Sequence, residues 1–92
     1  MRLTIDDLIW DDWNEQHIAR HHILRVEVED VCYEHHWTLR ANGHDKLAIY
    51  GQTSSGRYLV VIVAQRGTGT YYPVTAREMS DTERRRFQGW RS

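Results

Sequence analysis

The chain has 92 residues, 27% of them charged and 40% hydrophobic, with a formal net charge of −1. That length supports a single domain over 1–92 with a small core, leaving little room for a buried cofactor pocket, so no cofactor is expected and any site is open. The longest apolar run, Tyr58 to Ala64, is far short of the roughly 20 residues of a membrane span, and no secretory signal pattern is present. The expectation is a soluble, cytoplasmic protein with no membrane partner. Cys32 is the only cysteine, which excludes an internal disulfide and a thiolate zinc cluster and suits a buried position in a reducing compartment.

In chain order, "IDDLIWDD" opens as a short strand or an extended arm. Asp12 is the expected N-cap of a helix running to about His21, because its side chain can accept from the first-turn amides and its charge suits the helix dipole. Trp10, Trp13, His17 and His21 fall at helical spacing within it. The next segment, "LRVEVEDVCYEH", fits two periods: Val26 and Val28 alternate with Glu27 and Glu29 as in a strand, while Leu24, Val28, Val31 and His35 repeat as in a helix.

After Trp37 the pattern is that of strands. "TLRAN", "KLAIYGQT", "RYLVVIVAQR" and "TYYPVTAR" are separated by turn residues at Asn42-Gly43, Ser54-Ser55-Gly56 and Gly67-Thr68-Gly69, and such short loops make an antiparallel meander. Val60 to Val63 is apolar on both parities, which marks a central strand covered on both faces; Pro73, lacking a donor, belongs at an edge or a bulge. "SDTERRRFQGW" then starts a last helix with a capping box, Ser80 and Glu83.

Charge is unevenly spread. Met1 to Lys46 carries five Lys/Arg against ten Asp/Glu, and Leu47 to Ser92 seven arginines against three Asp/Glu, so the halves run −5 and +4. Arginine forks suit phosphates, although the two halves could equally attract one another in the fold. Arg57, Arg66 and Arg77 stand at strand ends, where a sheet presents side chains to a ligand. Thr75 and Arg77 share parity with Tyr71 and are expected on one face. The run Arg84, Arg85, Arg86 reads as a solvated helix face. Interleaved Tyr50, Tyr58, Tyr71, Tyr72 and Trp90 suit stacking on unpaired bases or packing on the sheet.

His17 and His21 have the four-residue spacing by which two imidazoles reach one zinc. The residues between them, Ile18, Ala19 and Arg20, lack the glutamate of the HExxH pattern and add a cation, so no metal site is assigned. His17 then remains either a ring packed on Trp13 or Trp10, or an acid–base group near neutral pH. His22, His35 and His36 default to solvated positions.

Taken together and in order, "WNEQHIARHHI", "VEDV" and "AIYGQTSSGRYLVVIVAQRGTGTYYPVTAREMSDTERR" resemble the BrnT-like toxins of bacterial type II toxin–antitoxin systems, over Trp10 to about Phe87. The resemblance implies an α+β, RelE-like ribonuclease fold: a small antiparallel sheet of three to four strands packed with two N-terminal helices and one C-terminal helix. It makes the ambiguous segment the second helix. It implies metal-independent endoribonuclease activity on RNA that inhibits translation and growth, and a cognate antitoxin that covers the site and binds operator DNA, with a ribbon-helix-helix protein as the candidate type.

Metal-free RNA cleavage needs a base for the 2′-hydroxyl proton, cations for the phosphorane-like transition state and an acid for the leaving oxygen. The matching positions implied for catalysis are His17, His21, Arg57, Arg77 and Glu83; those for substrate binding are Asn14, Arg66, Tyr71 and Thr75. Two positions depart from the family pattern: His22 replaces a glycine, and Phe87 replaces a tyrosine and so removes a phenol. The second departure supports an alternative, a non-catalytic module that binds an antitoxin-like protein or nucleic acid, with the acidic first half as a dock for a basic partner.

Overall fold

The computed structural model describes residues 3–41 and 45–91, in the order β1 (Asp7–Leu8), α1 (Asp12–Ala19), α2 (Arg25–Tyr33), β2 (His36–Arg40), β3 (Lys46–Gln52), β4 (Tyr58–Gly67), β5 (Thr70–Glu78) and α3 (Asp81–Arg91). The turn expected at Asn42-Gly43 lies outside the described residues.

Helix α1 begins one residue earlier than its sequence signals imply. Asp11, not Asp12, is the N-cap: its carboxylate accepts the Asn14 amide at 2.9 Å, and Asn14 Oδ1 accepts the Asp11 amide at 2.9 Å. Two first-turn donors are satisfied reciprocally, while Asp12 and Glu15 add favourable charge at the helix N-terminus. The helix stops at Ala19, short of His21, and the chain reverses through His22, whose φ of 60° is left-handed. A Cβ is strained there. His22→Gly should therefore raise stability by about 1 kcal/mol, part of the gain being offset by the freer unfolded chain. Differential scanning calorimetry would read this as a rise of about 4–8 °C; a lowered midpoint would show that the imidazole makes a compensating contact.

The ambiguous segment is helical. Val28, Val31 and Cys32 are buried, whereas Val26, which the strand pattern would turn inward, is exposed. Burial also pushes the Cys32 thiol up to about 12, aided by the nearby Glu29 carboxylate, so it stays a protonated core residue.

Among the described residues, five strands form one sheet in the order β1-β5-β4-β3-β2. β2 to β5 are the expected antiparallel meander. The additional strand is β1, two residues long and parallel to β5. It is held by backbone bonds, the Asp6 amide donating to Gly69 O at 2.8 Å and the Ile9 amide to Tyr71 O at 2.9 Å, and two residues carry no legible period.

Helices α1 and α2 cover one face of the sheet. Leu59, Val61 and Val63 of β4, Ile49 of β3 and Ala76 of β5 pack there with Ile18, Ile23, Val28 and Val31. Val60, also fully buried, points to the other face, so β4 is covered on both sides as its composition predicts. In β5, Thr75 pairs with Ile62 and Pro73 with Val63, leaving Val74 as an extra residue. This bulge accommodates Pro73 and reverses parity. Tyr71 consequently points into the helix-side core, while Thr75 and Arg77 face the opposite side; the three do not share a face.

His36 is buried rather than solvated. Its ring nitrogens lie 2.8 Å from the carbonyl oxygens of Glu34 and Leu3, tying the N-terminal segment to β2.

Candidate functional site

The sheet face turned away from α1 and α2 is built of cross-strand rows. Trp37, Tyr50, Val60 and Arg77 make the first row, and Leu39, Ala48, Ile62 and Thr75 the second; Lys46, Ala64 and Tyr72 follow. Helix α3 lies on the first row. Its Glu83 meets Arg77, its Phe87 is edge-on to Tyr58 at 6.1 Å, and its Trp90 stacks on Trp37 at 5.7 Å and meets Tyr50 at 5.4 Å. Beside the helix, the small Ala48 and Ala64 form a floor between larger neighbours, with Thr75 and Ile62 half-buried. Arg66 lies 5.2 Å over the Tyr72 ring, and the Tyr72 hydroxyl donates to Asp11 at 2.9 Å.

Arg77 and Glu83 form a bidentate pair, with N···O distances of 2.7 and 2.8 Å. Glu83 serves twice, since its Oε1 also accepts the Ser80 amide at 2.9 Å while Ser80 Oγ accepts the Glu83 amide at 3.2 Å. The capping box thus fixes the carboxylate that aligns the guanidinium. Arg77 is the first cause that holds the Glu83 carboxyl at about 2, well below its ordinary 4.5, with Ser80 contributing. The Tyr50 phenol, raised chiefly by burial and then by the Glu83 charge, joins this pair. Sequence reasoning placed Tyr50 only among stacking aromatics; no local pattern links it to Glu83, which arrives from α3. Arg86, three residues on from Glu83, stands on the same side of α3, and its charge weakly opposes the rise of the Tyr50 phenol.

A carboxylate depressed in the folded state contributes stability that is complete above its unfolded value and disappears as pH falls through its folded value. For Glu83 that window runs from 4.5 down to about 2. Urea midpoints of wild type and Glu83→Gln should differ by a constant amount near neutrality and converge between those limits. A gap undiminished at pH 2 would mean that the ion pair is not the source of the difference.

The other residues singled out in the sequence lie elsewhere. Arg57 is spent on structure: it donates to both Glu27 oxygens at 2.9 Å, to Glu78 at 3.1 Å and to the His22 carbonyl at 3.0 Å, joining α2, β5 and the α1–α2 turn. It engages the helix layer, whereas Arg77 engages α3. Asn14 is fully buried, its Nδ2 donating to Ile9 O at 2.9 Å and Pro73 O at 3.0 Å. Tyr71 is in the core, its phenol raised by burial. His17 stacks on the exposed Trp13, with centroids 4.8 Å apart, and meets His21 edge-on at 5.6 Å, along the outer side of α1. The structure therefore brings together Arg77, Glu83 and Thr75, with Arg66 at the far side of the same face.

This is a small α+β protein with a five-stranded mixed sheet, two helices on one face and a third helix half-covering the other. No protein-family model matches the chain, and no curated protein matches it in sequence. A solved structure does match in fold. Its fold is similar to that of the 1.1 Å crystal structure of the Brucella abortus ribonuclease toxin BrnT, with a TM-score of 0.65 and 20% identity over 82% of this chain and 97% of that one.

Proposed function

We propose that this protein is an endoribonuclease toxin acting on single-stranded RNA in the cytoplasm, with Arg77 and Glu83 at its centre. The observation that carries this reading is the Arg77–Glu83 fork at the border of an open sheet face, in a fold shared with a ribonuclease toxin. A phosphodiester presents two non-bridging oxygens that can accept both arms of a guanidinium as a carboxylate does, so it can take the Arg77 fork from Glu83. Without the guanidinium, the carboxyl returns toward its ordinary range and becomes a competent proton acceptor.

The 2′-hydroxyl then loses its proton to Glu83 as its oxygen bonds to phosphorus, Arg77 neutralises the charge gathered on the phosphoryl oxygens, and the bond to the 5′-oxygen breaks. Tyr50, protonated beside Glu83, is the donor to the leaving oxygen. Thr75, Arg66 and Lys46 line the path of the flanking phosphates. No step requires a metal. His17 and His21, lying along α1 with Trp13, are assigned no step. A cognate antitoxin covers this face in the resting complex.

Purified protein should cleave single-stranded RNA in EDTA and leave 2′,3′-cyclic phosphate ends, detected by primer extension and by ligation sensitivity. A second reading, the non-catalytic binding module, draws on the exposed Trp13, Leu24 and Val26 around the α1–α2 turn, a surface fit for a protein partner. Absence of cleavage, together with harmless expression in a bacterial host, would decide for it.

A further inference from the structure

We infer that the cleft between β2 and the C-terminal half of α3 is a subsite for one unpaired nucleobase, next to the phosphate site at Arg77. The inference rests on the reading of RNA as the substrate and goes further, placing a base as well as a phosphate.

The cleft has a volume of about 200 Å³ and is lined by His35, His36, Trp37, Phe87, Trp90 and Arg91. Five of these six residues carry rings and none is acidic. The indoles of Trp37 and Trp90 stack on each other, with centroids 5.7 Å apart and planes within 18° of parallel, and together give the cleft a flat aromatic wall, the surface on which a base of any identity gains stacking energy. Arg91 is fixed at its edge, lying 5.4 Å over the Phe87 ring and donating to Gln52 Oε1 at 2.6 Å. An anchored cation beside an aromatic wall favours a planar ring that carries a phosphate over a neutral apolar group. A cleft of about 200 Å³ has room for one base.

Position ties the cleft to the proposed chemistry. Trp37 is the β2 member of the row that ends in Arg77 on β5, three strand spacings or about 14 Å away. Tyr50 stands between them, edge-on to Trp90 and beside Glu83. Base slot and phosphate fork therefore lie on one row under one helix. Phe87 is the one buried residue of α3 among those described, and Trp90 is only half-buried, so part of its ring is accessible to a base.

The test follows the four tryptophan indole N–H signals of the ¹⁵N-labelled full chain during titration with AMP, UMP and an uncleavable 2′-O-methyl oligoribonucleotide. The signals of Trp37 and Trp90 should move while those of Trp10 and Trp13 stay. Trp90→Ala should weaken oligonucleotide binding on the order of ten-fold, with unshifted Trp10 and Trp13 signals reporting an intact fold. Arg91→Ala should weaken binding without removing a wall.

No movement, or movement at Trp13 alone, overturns the inference, the latter by assigning stacking to the Trp13–His17 pair. If N-acetyltyrosinamide moves Trp37 and Trp90 and the nucleotides do not, the cleft receives a partner protein's side chain and the inference also fails. Failure of the nuclease reading looks different: Trp37 and Trp90 respond but RNA stays whole. Cleavage without any response at Trp37 or Trp90 removes the base slot and leaves the nuclease.

Discussion

Arg77→Ala should slow RNA cleavage on the order of 10²-fold, the loss typical of removing one donor from a developing oxyanion. The change deletes the fork that is proposed to pass from Glu83 to the phosphate. Arg77 is half-exposed and its pair with Glu83 lies at the surface, so the packing loss is small and soluble expression should be retained. Glu83 in the variant is freed toward its ordinary pKa, which gives an independent check that the pair has been broken.

The appropriate control is Arg85→Ala. Arg84 lies 4.3 Å over the Tyr58 ring and Arg86 acts on Tyr50, whereas Arg85 points away from the side of α3 that carries Glu83, Phe87 and Trp90. Expressed alone, Arg85→Ala should match wild type, for which the proposed function predicts growth arrest. If Arg77→Ala is equally toxic at matched soluble levels, the site is elsewhere even if the reaction stands. His17→Gln with His21→Gln should leave the rate within about two-fold, a small change by the usual scale of surface substitutions; a large loss would return the base to α1.

Asn14→Ala should cost about 3 kcal/mol, because truncation orphans the Ile9 and Pro73 carbonyls and the Asp11 amide at a buried position. For a domain of this size that corresponds to a fall of about 12–24 °C in the thermal midpoint. The Asn14 amide group joins the α1 cap to the β5 strand, so the element that carries Thr75 and Arg77 depends on it. A residue that touched RNA would show the opposite pattern, weakened substrate binding at unchanged stability. Calorimetry alongside an RNA-binding titration separates the two; an unchanged midpoint would refute the structural role.

Features legible in the sequence are those that act over a few residues. The capping box at Ser80 and Glu83, the turn residues between strands, and the doubly apolar run Val60 to Val63 each specify local geometry through hydrogen bonds or burial within their own segment, and α3, the meander and the central β4 followed from them. Where two local patterns competed, as over residues 24–35, packing decided: Val28, Val31 and Cys32 reach the core only from a helix, and Val26 is left outside.

What sequence could not assign is the company each arginine keeps. Arg57 and Arg77 are the same residue type at comparable strand ends, yet one is enclosed by Glu27, Glu78 and the His22 carbonyl, while the other meets a single carboxylate on a helix from the far end of the chain. The bulge at Val74 sends Arg77 to the open face and Tyr71 to the core. The fold of α3 onto the sheet brings Tyr50 and Glu83 together. Charge–charge distances depend on which elements pack against which, and no period or spacing along the chain encodes that; the elements were therefore written locally, and the site was made by their assembly.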